Sequence, residues 1–186
     1  MNNLSPGFQS ELEAQICFRA VLKAFSMPGH VVELPIDIQP PDGLSIASAA
    51  LLLTLADTQT KIALPDNQAA RDWLTFHTGA PASDFTEADF YLATSRPALS
   101  TLKQGTDEEP EASATLILEV ERLEGACFRL SGPGLKEPVT TTLPLDAPML
   151  SEWQVQSRKA PCGVDIILCA GRRIIALPRS LHIEEG

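Results

Sequence analysis

The sequence is short of basic residues: 14 Lys and Arg stand against 24 Asp and Glu in 186 residues, a formal net charge of −10. Binding along a nucleic-acid backbone requires a basic stripe that neutralises phosphates, so this balance argues against DNA or RNA as a partner. The same acidity repels anionic membrane surfaces and small anionic metabolites. A phosphate-bearing ligand would need a local basic pocket or a basic partner subunit.

Paired cysteines are missing as well. Cys17, Cys127, Cys162 and Cys169 stand singly in apolar contexts, with no C-x-x-C motif and no disulfide-framework spacing, which predicts free thiols in a reduced, cytoplasmic compartment. No apolar run reaches the ~20 residues of a bilayer crossing. The longest, Leu44 to Ala56, is interrupted by Ser45, Ser48 and Thr54 and predicts a core helix. The start, MNNLSPGFQSELEAQ, has neither a basic region nor an apolar core, so no secretory signal is expected. His30, His77 and His182 show no H-x-H or H-x-x-x-H spacing, and no metal site is assigned. There is no G-x-S-x-G elbow and no G-x-x-x-x-G-K-[ST] loop; SGPGLKE is a turn between strands. Lys23, Lys61, Lys103, Lys136 and Lys159 all sit beside polar neighbours or at element ends, not in the desolvated setting of a Schiff-base lysine. No cofactor is expected.

What remains is a regular succession of helix and strand signals in a single domain over residues 1–186, with residues 1–9 expected as a flexible N-terminal segment. Ser10 and Glu13 predict a capping box, and Phe18, Val21, Leu22 and Phe25 at i, i+3, i+4 and i+7 predict the buried stripe of the helix that follows. Pro28-Gly29 ends it. Asp66 is the expected cap of a second amphipathic helix carrying Ala70, Trp73, Leu74 and His77 on one face and closed by Gly79. ADFYLAT, ATLILEV and Phe128 to Leu130 read as strands, and the prolines of EPVTTTLPLD predict an edge strand. Asp146 with Ala147-Pro148 opens a helix that turns Leu150 and Trp153 inward. The runs VDIILCA and RIIAL flank a turn and predict a buried hairpin. Several strands are apolar on both faces, which calls for helical layers on both sides: a three-layer α/β/α sandwich with a mixed sheet.

Three residues are candidates for substrate binding: His77, Asp165 and Arg179. Alternation places Asp165 on one face with Ile167 and Cys169, where a carboxylate requires a partner, either Arg179 or a backbone amide. Arg179 follows Pro178 at a strand end, where α/β proteins commonly place site residues. His77 lies in the last turn of its helix, where the dipole favours a protonated imidazole. Each also has a structural reading: a buried ion pair for Asp165 and Arg179, a helix-end residue for His77.

The blocks FRAVLKAFSMPG, LLLTLAD, FHTGAP, EASATLILEV, GVDIIL and ALPRSLH, taken in order, span nearly the whole chain. In this the sequence resembles the PhnH subunit of the bacterial carbon-phosphorus lyase complex. The first dozen residues and the acidic loop TDEEPE carry no resemblance. The resemblance implies a fold related to pyridoxal-phosphate-dependent transferases without the cofactor. It also implies an accessory role in organic phosphonate catabolism beside the PhnG, PhnI and PhnJ subunits, where a phosphonate is joined to the ribose of ATP with loss of adenine. A homodimer in isolation is expected. The alternative is a stand-alone nucleotide or phosphonate binder, or an enzyme, with a cleft near His77, Asp165 and Arg179.

Overall fold

Strict alternation along the central strands divides the interior between two apolar cores. In the computed structural model, which describes residues 5–64 and 67–186, the elements follow one another as α1 (Glu11–Ser26), β1 (Val32–Glu33), α2 (Ile46–Leu55), β2 (Ile62–Ala63), α3 (Gln68–Thr78), β3 (Phe90–Ala93), β4 (Thr115–Glu119), β5 (Ala126–Ser131), β6 (Val139–Leu143), α4 (Ala147–Ser157), β7 (Asp165–Ala170), β8 (Arg173–Leu177) and β9 (His182–Glu185). Two short 3₁₀ turns, Leu99–Thr101 and Pro110–Ala112, lie between β3 and β4. Six strands form a mixed sheet in the order β1-β8-β7-β4-β3-β2. Within it β7, β4, β3 and β2 run parallel, while β8 is antiparallel to both of its neighbours.

Leu92, Ile117, Ile167, Ile174 and Ala176 point to the face covered by α1, α2 and α3. Their neighbours Leu116, Leu118, Ile166, Ile175 and Leu177 point to the other face. Period-two alternation with apolar residues at both phases is what a sheet buried on both sides requires.

The second cover is not the helical layer expected of an α/β/α sandwich. It is a three-stranded antiparallel sheet, β6-β5-β9, with α4 packed beside it. The reason lies in the alternation of β5: Phe128 and Leu130 are buried while Cys127 and Arg129 are exposed. A half-buried antiparallel strand of this kind covers a neighbouring sheet with one face and meets water with the other. β6, which follows Pro138, is an edge strand as expected.

Helix α1 also departs from its predicted geometry. The Ser10 hydroxyl makes no cap; the Glu13 carboxylate accepts instead from the Gln9 amide at 2.6 Å. Its buried residues are Cys17, Val21 and Ala24, whereas Phe18 and Leu22 are 46% and 52% exposed. The Cys17 thiol donates to the Ala50 carbonyl of α2 at 3.5 Å. Two helices approach this closely only where small side chains meet, and the Cys17–Ala24 side matches Ala47 and Ala50, both fully buried. Bulk at Phe18 and Leu22 would hold them apart.

The other helices are capped by single acceptors: Ser45 takes the Ser48 amide in α2, Asn67 the Ala70 amide in α3, and Asp146 the Met149 amide in α4. The expected cap Asp66 lies outside the described residues. Gly79 closes α3 with φ 72°, a left-handed value that favours glycine. Beyond α4, Gln156 accepts from the Val164 amide at 3.1 Å and donates to the Val164 carbonyl at 3.0 Å, fixing the entry into β7. Among the described residues no helix is long and apolar enough to cross a membrane.

Candidate functional site

The β7–β8 hairpin brings Asp165 and Arg179 together. Asp165 opens β7, and Arg179 follows Pro178 at the exit of β8, so the antiparallel pairing returns the second to the first. The carboxylate accepts from the Arg179 amide at 2.7 Å, from Nε at 3.2 Å to each oxygen, and from Nη2 at 2.5 Å. Nη1 donates to the Pro110 carbonyl at 2.5 Å. Both side chains are largely buried, at 18% and 17% exposure. Three chain segments are thus tied by one neutral pair, and every nitrogen of the guanidinium has an acceptor.

The strand registers fix the position of the pair in the sheet. Asp165 is in register with Thr115, the first residue of β4. The pair therefore sits at the amino ends of the parallel strands, because β8 runs against them. Ligands of open α/β sheets bind beyond the carboxyl ends.

His77 belongs to a different cluster. Its Nε2 is 3.1 Å from the Ser5 carbonyl, which also accepts from Trp73 Nε1 at 2.7 Å. The ring meets Trp73 and Phe76 edge-on, with centroids 4.8 and 5.0 Å away. A Cβ on Gly7 would lie 3.0 Å from Nδ1. Residues 5–8 accordingly lie against α3, with Phe8 packed on the first core. Among the described residues, the contacts of His77 and those of the Asp165–Arg179 pair share no residue.

At the carboxyl ends of the parallel strands, sequence reasoning missed Glu119. It ends β4, in register with Cys169, and its carboxylate accepts from the Ser45 amide at 2.8 Å and from the Ser48 hydroxyl. Both donors lie at the start of α2, where unsatisfied amides and the helix dipole favour an anion. The chain fills that place with its own carboxylate. Burial, with Glu119 nearby, raises the fully buried Cys169 thiol well above its ordinary value. A lone acid ending an apolar strand and an S-x-x-S at a helix start were the available signals. A second ion-pair group was also missed: beyond β3, Arg96 meets Glu152 at 2.9 Å and Asp146 at 3.6 Å, while Glu152 also takes the Leu99 amide at 2.7 Å. Among the described residues no group of three His, Cys, Asp or Glu side chains is placed to hold a metal ion.

Among the described residues, the Asp165–Arg179, Glu119–Ser45–Ser48 and Arg96–Glu152–Asp146 groups thus each close on partners within the chain. The family model for the bacterial phosphonate metabolism protein PhnH matches residues 6–184. The chain belongs to the PhnH family. One PhnH relative is the alpha-D-ribose 1-methylphosphonate 5-triphosphate synthase subunit PhnH of Rhizobium meliloti (strain 1021), 34% identical over 182 residues, covering 92% of this chain and 90% of that protein. Another, from Stutzerimonas stutzeri, is the protein HtxG, described as a candidate C-P lyase subunit; it is 35% identical over 176 residues, covering 91% of this chain and 85% of its own.

Among the described residues, four of the eight exposed large apolar side chains fall between residues 18 and 31. Phe18, Leu22, Met27 and Val31 are exposed on α1 and its exit into β1, and Phe25 is half-buried beside them. These side chains lie in the FRAVLKAFSMPG block and just beyond it.

Proposed function

We propose that this chain is an accessory subunit of a carbon-phosphorus lyase core complex. On this reading it works with PhnG, PhnI and PhnJ in the step that joins a phosphonate to the ribose of ATP, and it has no independent reaction. The observation that carries the reading is family membership over residues 6–184 together with two relatives that are both named as subunits. Closed polar clusters support it: Arg179, Arg96 and Lys103 are each committed to carboxylates, which leaves no converging cationic pocket around them for a triphosphate. A cytoplasmic location, a homodimer in isolation and kinship of the fold with pyridoxal-phosphate-dependent transferases belong to the same proposal.

The test is co-expression with the other three subunits, one of them tagged. The proposal expects this chain to co-elute in fixed stoichiometry, and its deletion to abolish growth on methylphosphonate as sole phosphorus source. Growth without it, or failure to co-elute, would refute the reading. A second reading, in which His77, Asp165 and Arg179 bind a nucleotide or phosphonate, is favoured by the one fact that two of the three touch. It requires the guanidinium to leave Asp165. It therefore predicts a thermal shift with ATP or methylphosphonate that Arg179→Lys removes.

A further inference from the structure

We infer that the exposed flank of α1, formed by Phe18 and Leu22 and continued by Met27 and Val31, is the docking surface for a different subunit whose own apolar face is rimmed by acidic side chains. The inference rests on the reading that the chain works inside a complex. Of the eight large apolar side chains exposed among the described residues, four lie in this patch, each between 39% and 52% exposed. Single exposed apolar residues are ordinary; a cluster of large ones marks an interface.

The patch has a defined orientation. Cys17 and Ala24 face α2, and at 100° per residue Phe18, Leu22 and Phe25 fall on the flank away from α2. α1 packs on β8 and β1, and β1 is the last strand of the sheet. The flank and the exposed Val31 beside β1 therefore border the same edge of the molecule.

Charge identifies the occupant. Arg19 and Lys23, four residues apart, form an exposed basic row next to Phe18 and Leu22. Neither makes an ion pair among the described residues, a state shared with Arg122, Arg129, Lys136, Arg158 and Lys159, but Arg19 and Lys23 adjoin the apolar patch. In a chain of net charge −10, an unpaired basic row beside an apolar one is complementary to an acid-rimmed partner. It disfavours a second copy, because a two-fold contact through this patch brings the same basic row from both sides rather than an acidic rim.

The experiment measures the affinity of the purified subunit for the co-purified remaining subunits. Phe18→Ser/Leu22→Ser is expected to weaken binding roughly 30-fold or more, the scale of apolar hot spots. Arg19→Glu/Lys23→Glu is expected to weaken it and to reverse its dependence on salt. Phe85→Ser, elsewhere on the surface, is the control and should bind as the unmodified chain does. Circular dichroism and melting confirm folding for each. Unchanged affinity of both double variants overturns the inference, as does a loss confined to self-association. If the unmodified chain fails to bind the other subunits at all, the subunit reading itself falls and this inference with it.

Discussion

Removing the Asp165 carboxylate is expected to loosen the β7–β8 hairpin and cost the protein a sizeable part of its stability. In Asp165→Ala the Arg179 amide, Nε and Nη2 lose their acceptor, while Nη1 keeps the Pro110 carbonyl. Breaking a buried pair by deleting one member costs about 3–5 kcal/mol. Both side chains retain some exposure, 17% and 18%, so water can reach part of the orphaned guanidinium and about 2–4 kcal/mol is the scale expected here. For a domain of this size that corresponds to a fall in Tm of roughly 5–15 °C. The double variant Asp165→Ala/Arg179→Met removes the unpaired charge with its partner and should recover at least about 1 kcal/mol of the loss. With Arg179→Met alone completing the cycle, urea unfolding followed by tryptophan fluorescence reads all four proteins, since Trp73 and Trp153 lie one in each core. A loss below about 1 kcal/mol for Asp165→Ala, or strictly additive single variants, would refute the account of the pair as the clasp of the hairpin.

Glu119→Ala should destabilise by about 1–3 kcal/mol by leaving the Ser45 amide without its acceptor and the Ser48 hydroxyl with only the Ser45 carbonyl to donate to, and Glu119→Gln by less, because an amide oxygen still accepts; urea midpoints decide it. Burial raises the Asp89 carboxyl, but hydrogen bonds from Lys103 and the Lys61 amide, with both lysine charges, outweigh it and hold the group below its ordinary range. A folded value below the unfolded one means that the stabilisation is full above the unfolded pKa of about 3.9 and is lost as pH falls through the folded value. Asp89→Asn should therefore cost up to about 1 kcal/mol at pH 7, with the gap to the unmodified protein narrowing at about pH 2.5. A thiol reagent should modify exposed Cys127 rapidly and partly exposed Cys162 more slowly, while buried Cys17 and Cys169 react only on unfolding; mass spectrometry of the labelled sites checks this order.

Much of the architecture is readable from local chemistry. The alternation of β7 and β8, the Asp146-Ala147-Pro148 start of α4 and the Gly79 stop of α3 each have one physical solution, and the structure adopts it. Two failures share a cause. The stripe Phe18, Val21, Leu22 and Phe25 satisfies helical periodicity as well as Cys17, Val21 and Ala24 does, and only contact with α2 selects the smaller set. Likewise the cover of the second face depends on which sheet β5 joins, a long-range pairing with β6 and β9 that no local window contains. The pairing of Asp165 with Arg179 follows from the cost of a lone buried carboxylate. Its place at the amino ends of the parallel strands does not, because that depends on the direction of β8. His77 has the helix-end position its sequence implies, but its tie to Ser5 joins residues 72 apart.

The most direct test of the subunit account is the mass of the assembly formed when this chain is expressed with PhnG, PhnI and PhnJ, measured by native mass spectrometry on the purified complex. The account predicts one species that contains this chain in fixed proportion to the others and loses it selectively on Phe18→Ser/Leu22→Ser. A stable complex of the other three from which the unmodified chain is absent would contradict it.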